Sequence, residues 1–166
     1  MSLRFIEGDL TEMDSDAIVN AANCYLQPGS GVCGAIFNKA GFTELMEACN
    51  QIGHINIGEC CMTDGFHLKS RYIIHTVGPI YIDGKHHEDT ILRKAYWNSL
   101  NMAFEHGLQS ISFPLISTGV FGYPKEEAIS IAIQTINDFL KVKNMTVNLV
   151  ALDNMTYKMM KNSCID

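Results

Sequence analysis

Apolar positions along the chain alternate between two periods. Short runs rich in β-branched and aromatic residues, at 3–6, 17–20, 58–63, 72–77, 110–115 and 145–152, predict strands. Between them the spacing lengthens to three and four. Ala35, Ile36, Ala40, Leu45 and Met46 predict one helix over about 32–49. Ile91, Leu92, Ala95, Leu100 and Ala103 predict another over 87–106. Pro124 opens a third at its first turn, where the missing N–H costs nothing, and 154–161 reads as a closing helix. Strands alternating with helices imply an α/β sheet covered on both faces. With no repeat, low-complexity stretch or linker, residues 1–166 are expected to form one domain.

Composition narrows the classes. Hydrophobic residues make up 47% and charged residues 18%, a globular balance. No apolar run approaches the ~18 residues of a membrane span, and the first residues lack a signal-peptide pattern. The six cysteines form no CxxC pair and no zinc-like spacing with histidine. Reduced thiols in a cytoplasmic protein, no metal, no membrane association and a monomer are the expectations. The formal charge of −6 argues against a general nucleic-acid binder, which draws affinity from Lys and Arg on phosphates. It leaves room for a small anionic ligand, because backbone amides at a helix start hold a diphosphate without lysine.

Two strand-to-helix loops carry candidate chemistry. The first runs Asn20-Ala21-Ala22-Asn23, then Gly29-Ser30-Gly31-Val32-Cys33-Gly34. Its glycines permit positive φ and close ligand approach, and the following helix start offers free N–H groups. It fits neither the Walker pattern nor the dinucleotide GxGxxG fingerprint. Taken alone it reads equally well as a flexible turn. The second runs Pro114-Leu115-Ile116-Ser117-Thr118-Gly119-Val120-Phe121-Gly122-Tyr123-Pro124. Phe121, between two glycines, is more than a turn requires and suits packing on a sugar ring. Asp9, ahead of Leu10 and Thr11, is either a ligand contact or a plain cap of a short helix. His75, in a strand-like run, reads as a structural histidine, and His86-His87 as solvated.

Gly8-Asp9-Leu10-Thr11, Asn20 to Asn23, the Gly29 to Gly34 run, Ile74-His75-Thr76-Val77-Gly78-Pro79 and Ile116 to Pro124 occur in the order seen in macrodomains. The resemblance spans nearly the whole chain and is nearest to the bacterial MacroD-like branch. It implies a three-layer α/β/α sandwich around a mixed sheet, with ADP-ribose, free or attached to protein, lying across its crest and no cofactor. It further implies that Asp9 accepts from the adenine amino group with Leu10 beside it. Leu152 falls where many macrodomains place an aromatic against the adenine. Gly29, Gly31, Val32 and the backbone of Ser117, Thr118, Gly119, Val120 and Phe121 hold the diphosphate. Asn23 bonds the distal ribose, and Phe121 packs against it.

One position departs from the pattern. MacroD-like hydrolases commonly carry an aspartate, assigned to water activation, where this chain has Cys33. A thiol with a reference pKa of ~8.5 does not replace a carboxylate as a base at neutral pH. Three readings stay open: a space-filling residue in a hydrolase that never needed the carboxylate, a reader that binds without turnover, or a nucleophile activated by the helix N-terminus. A diphosphate nearby opposes the last, and no partner base is assigned. The leading expectation is a metal-independent hydrolase of ADP-ribosyl esters or O-acetyl-ADP-ribose, with Asn23 orienting ribose and water. A non-catalytic reader is the alternative.

Overall fold

The computed structural model describes residues 2–164. Six strands form one sheet: β1 (Ser2–Glu7), β2 (Ala17–Ala21), β3 (Cys60–Asp64), β4 (Tyr72–Thr76), β5 (Ser110–Phe113) and β6 (Thr146–Ala151). Their order across the sheet is β1-β6-β5-β2-β4-β3. All neighbours run parallel except β3, which pairs antiparallel with β4 at one edge, so the sheet is mixed.

Five helices cover it: α1 (Gly31–Ala40), α2 (Phe42–Ile52), α3 (Glu88–Glu105), α4 (Lys125–Leu140) and α5 (Asn154–Asn162). The period-two alternation of the strands sorts their side chains between two cores. Ala17, Val19, Ile74, Val147 and Leu149 face Leu92, Tyr96, Ile129 and Ile136 of α3 and α4. Ile18, Ile73 and Val150 face Ile36, Phe37, Leu45 and Cys49 of α1 and α2. The result is the expected three-layer sandwich. Adjacent Cys60 and Cys61 pack on opposite cores, as residues next to each other in a strand must. Among the described residues, no helix is long and apolar enough to cross a membrane.

The single helix expected over 32–49 is two helices. Gly41 breaks it at φ 112°, a conformation closed to other residues, and redirects the chain. Ala35, expected on the apolar side, is exposed, because Cys33, Ile36, Phe37 and Ala40 face the sheet instead. Pro124 is the N-cap of α4 rather than its first residue.

Candidate functional site

Parallel pairing brings the carboxyl ends of β1, β6, β5 and β2 to one edge of the sheet. The segments singled out in the sequence therefore line up in strand order: Asp9 after β1, Leu152 after β6, the second loop after β5, the first loop after β2. At ~4.8 Å per strand they span roughly 14 Å. The chain leaves β2 for α1 on one face and leaves β5 for α4 on the other. That reversal opens a crevice between β2 and β5, where ligands of open α/β sheets bind.

The first loop is closed by its own side chains. Asn23 Oδ1 accepts the Gln27 N–H at 3.0 Å, and its Nδ2 donates to the Gln27 carbonyl at 2.9 Å. This clamp still leaves the amide one hydrogen and one lone pair. The loop then folds back on the start of α1 so tightly that a Cβ on Gly34 would lie 2.5 Å from the Gly29 carbonyl. Gly31 has φ +59° with open space beside it. The Ser30 side chain caps nothing, which leaves the first-turn N–H groups of α1 without an intrahelical partner.

Cys33 lies beneath this loop, 7% exposed, with Sγ 3.7 Å from the Gln27 carbonyl. Burial raises its pKa, outweighing the lowering by the Asn20 amide and the Gly29 backbone. The thiol is neutral, opposite to the direction an activated nucleophile needs. Asn20 sits in register with His75 on the neighbouring strand, and its Nδ2 donates to His75 Nδ1 at 3.0 Å. That assigns the imidazole proton to Nε2, which reaches Thr63 Oγ1 at 2.9 Å. Burial pushes His75 down to about 4, so it is a neutral structural histidine, as its strand position suggests. Asn20 Oδ1 is buried without a hydrogen-bond partner.

The second loop is bracketed by a residue that the sequence reading did not single out. Tyr96 of α3 is fully buried; its hydroxyl donates to the Pro114 carbonyl at 3.1 Å and accepts the Ile116 N–H at 3.0 Å. Helical periodicity marks such a residue as buried and says nothing of its hydroxyl. Ser117 follows at φ +69°, its Oγ buried and unpartnered. It packs so closely on Gly78 that a Cβ there would collide with Ser117 Oγ and come within 2.5 Å of Ile116. Ser117 accepts the Tyr123 N–H at 2.8 Å, Gly119 accepts that of Gly122, and Phe121 accepts that of Tyr81. The N–H groups of Thr118, Gly119, Val120 and Phe121 donate to no acceptor among the described residues. Val120 is 88% exposed and Phe121 half-buried.

At the far end Asp9 is indeed a cap. Its Oδ1 accepts from Thr11 N at 2.9 Å and Thr11 Oγ1 at 2.7 Å, which leaves Oδ2 for another partner. Leu10, expected beside a ligand, turns its side chain into the core with Ile18 and Val150. Leu152 is 77% exposed at the opening of α5, whose cap is Asp153. Neither loop contains Lys or Arg, so any anion held here is held by backbone dipoles.

Asp83, His86 and Glu88 bring ligand atoms within 4.8 Å of one another, but those atoms are already engaged. Glu88 takes backbone N–H groups on both oxygens, and Asp83 Oδ1 takes Lys85 N and His86 Nδ1.

The Macro domain family model matches residues 19–132. The chain belongs to the Macro domain family. Among curated relatives, the O-acetyl-ADP-ribose deacetylase of Escherichia fergusonii is 46% identical, covering 83% of this chain and 80% of that protein. The protein of the same description from Citrobacter rodentium is 49% identical with the same coverage. Among solved structures, an Oceanobacillus iheyensis macrodomain mutant with ADPR superposes at a TM-score of 0.94. It is 41% identical and covers 97% of this macrodomain and 90% of its own chain. A Trypanosoma brucei macrodomain in complex with ADP-ribose follows at 0.88 and 36% identity, covering 99% and 69%.

Proposed function

We propose that this macrodomain binds ADP-ribose across the carboxyl edge of its sheet and hydrolyses esters of the distal ribose. The observation that carries the reading is the pair of loops flanking the β2–β5 crevice, each offering unpartnered N–H groups and neither a cation. A diphosphate fits such a cradle: Gly29, Gly31 and Val32 on one side, Ser117 to Phe121 on the other. The adenine then lies toward Asp9 Oδ2 and Leu152, and the distal ribose toward Asn23 and Phe121. A relative described as an O-acetyl-ADP-ribose deacetylase and a neighbour solved with ADP-ribose support the reading of ligand and reaction class.

In the hydrolytic step a water oxygen adds to the ester carbonyl carbon and the carbon–ribose oxygen bond breaks. The ribose leaves with a hydroxyl and the acyl group as a carboxylic acid. Asn23, with its spare donor and acceptor, orients ribose and water. Cys33, buried and neutral, takes no proton, so the water's proton passes by way of the ligand phosphate or solvent to the leaving ribose oxygen. No cofactor enters this reading.

The same Cys33 favours a second reading, a reader that binds without turnover. Calorimetric titration with ADP-ribose on wild type and Asn23→Ala, followed by an ester-linked substrate, separates them. Binding weakened by Asn23→Ala, then release of ADP-ribose, supports the hydrolase. Binding without release leaves the reader, and no binding removes both.

A further inference from the structure

Beside Phe121 lies a surface segment, residues 80–88, that is held more rigidly than its exposure requires. At one end the Tyr81 N–H donates to the Phe121 carbonyl at 2.8 Å, and the Tyr81 ring packs 4.8 Å from that of Tyr123. At the other end buried Glu88 pins the turn. Its Oε2 accepts the N–H groups of Ile82 at 3.0 Å, Asp83 at 3.1 Å and Gly84 at 3.0 Å, and its Oε1 accepts that of His86 at 2.6 Å. A carboxylate saturated with backbone amides fixes a loop in one shape.

On this fixed frame two isoleucines point outward: Ile80 is 60% exposed and Ile82 67%. Val120, on the adjoining loop, extends the same apolar rim. Single exposed aliphatics are ordinary; here two lie on a preorganised turn and a third on the loop that the turn bonds to, which concentrates apolar surface beside Phe121. The rim is also acidic. Asp83, Glu88 and Glu127 act on Tyr81, and Asp89, Glu127 and Glu88 on Tyr123, both tyrosines being pushed up by burial first and by those carboxylates next. Lys85 and Lys125 offset the acids in part; Lys125 is turned toward Thr156.

We infer that this rim docks the polypeptide carrying the ADP-ribose, taking a segment with an aliphatic side chain beside the modified residue and a Lys or Arg beyond it. The inference rests on the proposed function, which sets the distal ribose at Phe121 and so the attached chain at this rim. The apolar rim covers the aliphatic side chain; the field of Asp89 and Glu127 draws the cation and repels an acidic flank.

The test measures affinity for free ADP-ribose and for a synthetic peptide bearing ADP-ribose through a non-hydrolysable linkage, flanked by Leu and Arg. Wild type binds the peptide about tenfold more tightly than free ADP-ribose, the combined gain of covering part of one aliphatic side chain and attracting the Arg. The exposed double variant Ile80→Ser/Ile82→Ser loses the apolar share of that gain and keeps the affinity for free ADP-ribose. Exchanging Arg for Glu in the peptide removes most of the electrostatic share, and salt shrinks it. A peptide no tighter than free ADP-ribose overturns the docking surface, as does a gain that survives undiminished in the double variant. A wild-type dimer that the double variant dissociates also overturns it, assigning the patch to a second copy. Failure of free ADP-ribose to bind overturns the functional reading itself.

Discussion

At the scale of single residues, Cys33 and Tyr96 decide what the two loops can do. Burial raises the Cys33 thiol, so at pH 7–8 alkylation followed by peptide mass spectrometry labels exposed Cys164 well before Cys33. Equal labelling of the two would revive the activated nucleophile. Burial also pushes Cys49 up to about 12 and Cys60 and Cys61 to about 11, which places them in the slow class with Cys33. Tyr96 carries a different consequence. Tyr96→Phe leaves the Pro114 carbonyl and the Ile116 N–H buried without their shared partner, a loss of about 1–3 kcal/mol. Because those groups begin the second loop, ADP-ribose affinity falls as well as stability. A denaturation midpoint that drops while affinity stays fixed would detach Tyr96 from the cradle.

At the scale of elements, two glycines hold the arrangement and only one was visible in advance. Gly41 lies inside a periodic run whose apolar spacing continues across it, so periodicity predicted one helix where the fold has two. The break lies in the Gly41 backbone, and its surroundings leave no room for a side chain: a Cβ there would sit 2.7 Å from Glu44 Oε2 and 2.8 Å from His67. Gly41→Ala costs about 1–2 kcal/mol from the left-handed backbone alone, more if Glu44 cannot yield, read as a lower urea midpoint. The loops of the site were legible because their signal is local: glycines a few residues apart, directly after strand-like runs. Asn20 with His75 and Thr63, Tyr96 with Pro114, and Ser117 with Gly78 are pairings across 12 to 55 residues of sequence that no local pattern encodes. Gly78 belonged to a recognised motif, yet its reason, room for Ser117, appears only in the fold. Gly78→Ala therefore weakens ADP-ribose binding, and Gly78→Ala/Ser117→Gly restores part of it by removing the colliding hydroxyl. A double variant no better than the single one refutes the steric account.

At the scale of the whole molecule, the buried polar chain beneath the first loop ties the site to global stability through pH. An unfolded histidine titrates near ~6.5. Burial pushes His75 down to about 4. Between those values the unfolded chain binds a proton that the folded chain refuses, so stability rises with pH across the window. The contribution is whole above about pH 6.5 and is lost as pH falls toward 4. Glu88 adds a second step lower down. Burial works to raise it, but four backbone N–H groups prevail and hold it at about 2, so its contribution stands above ~4.3 and is lost as pH falls through 2. His86 has the opposite sign: Asp83 raises it, so its smaller, solvent-screened share is present at low pH and lost as pH rises. His75→Gln isolates the first step, since glutamine offers a donor and an acceptor but does not titrate. Urea midpoints at pH 7, 5.5 and 4.5 fall steeply for wild type and more gently for His75→Gln, the two lines converging at the acid end. ADP-ribose affinity, measured over the same range above pH 5, does not follow this loss, because the folded imidazole stays neutral there and the loop above it is unchanged. Parallel midpoint slopes in the two proteins would mean that the buried imidazole is not what makes this macrodomain acid-sensitive.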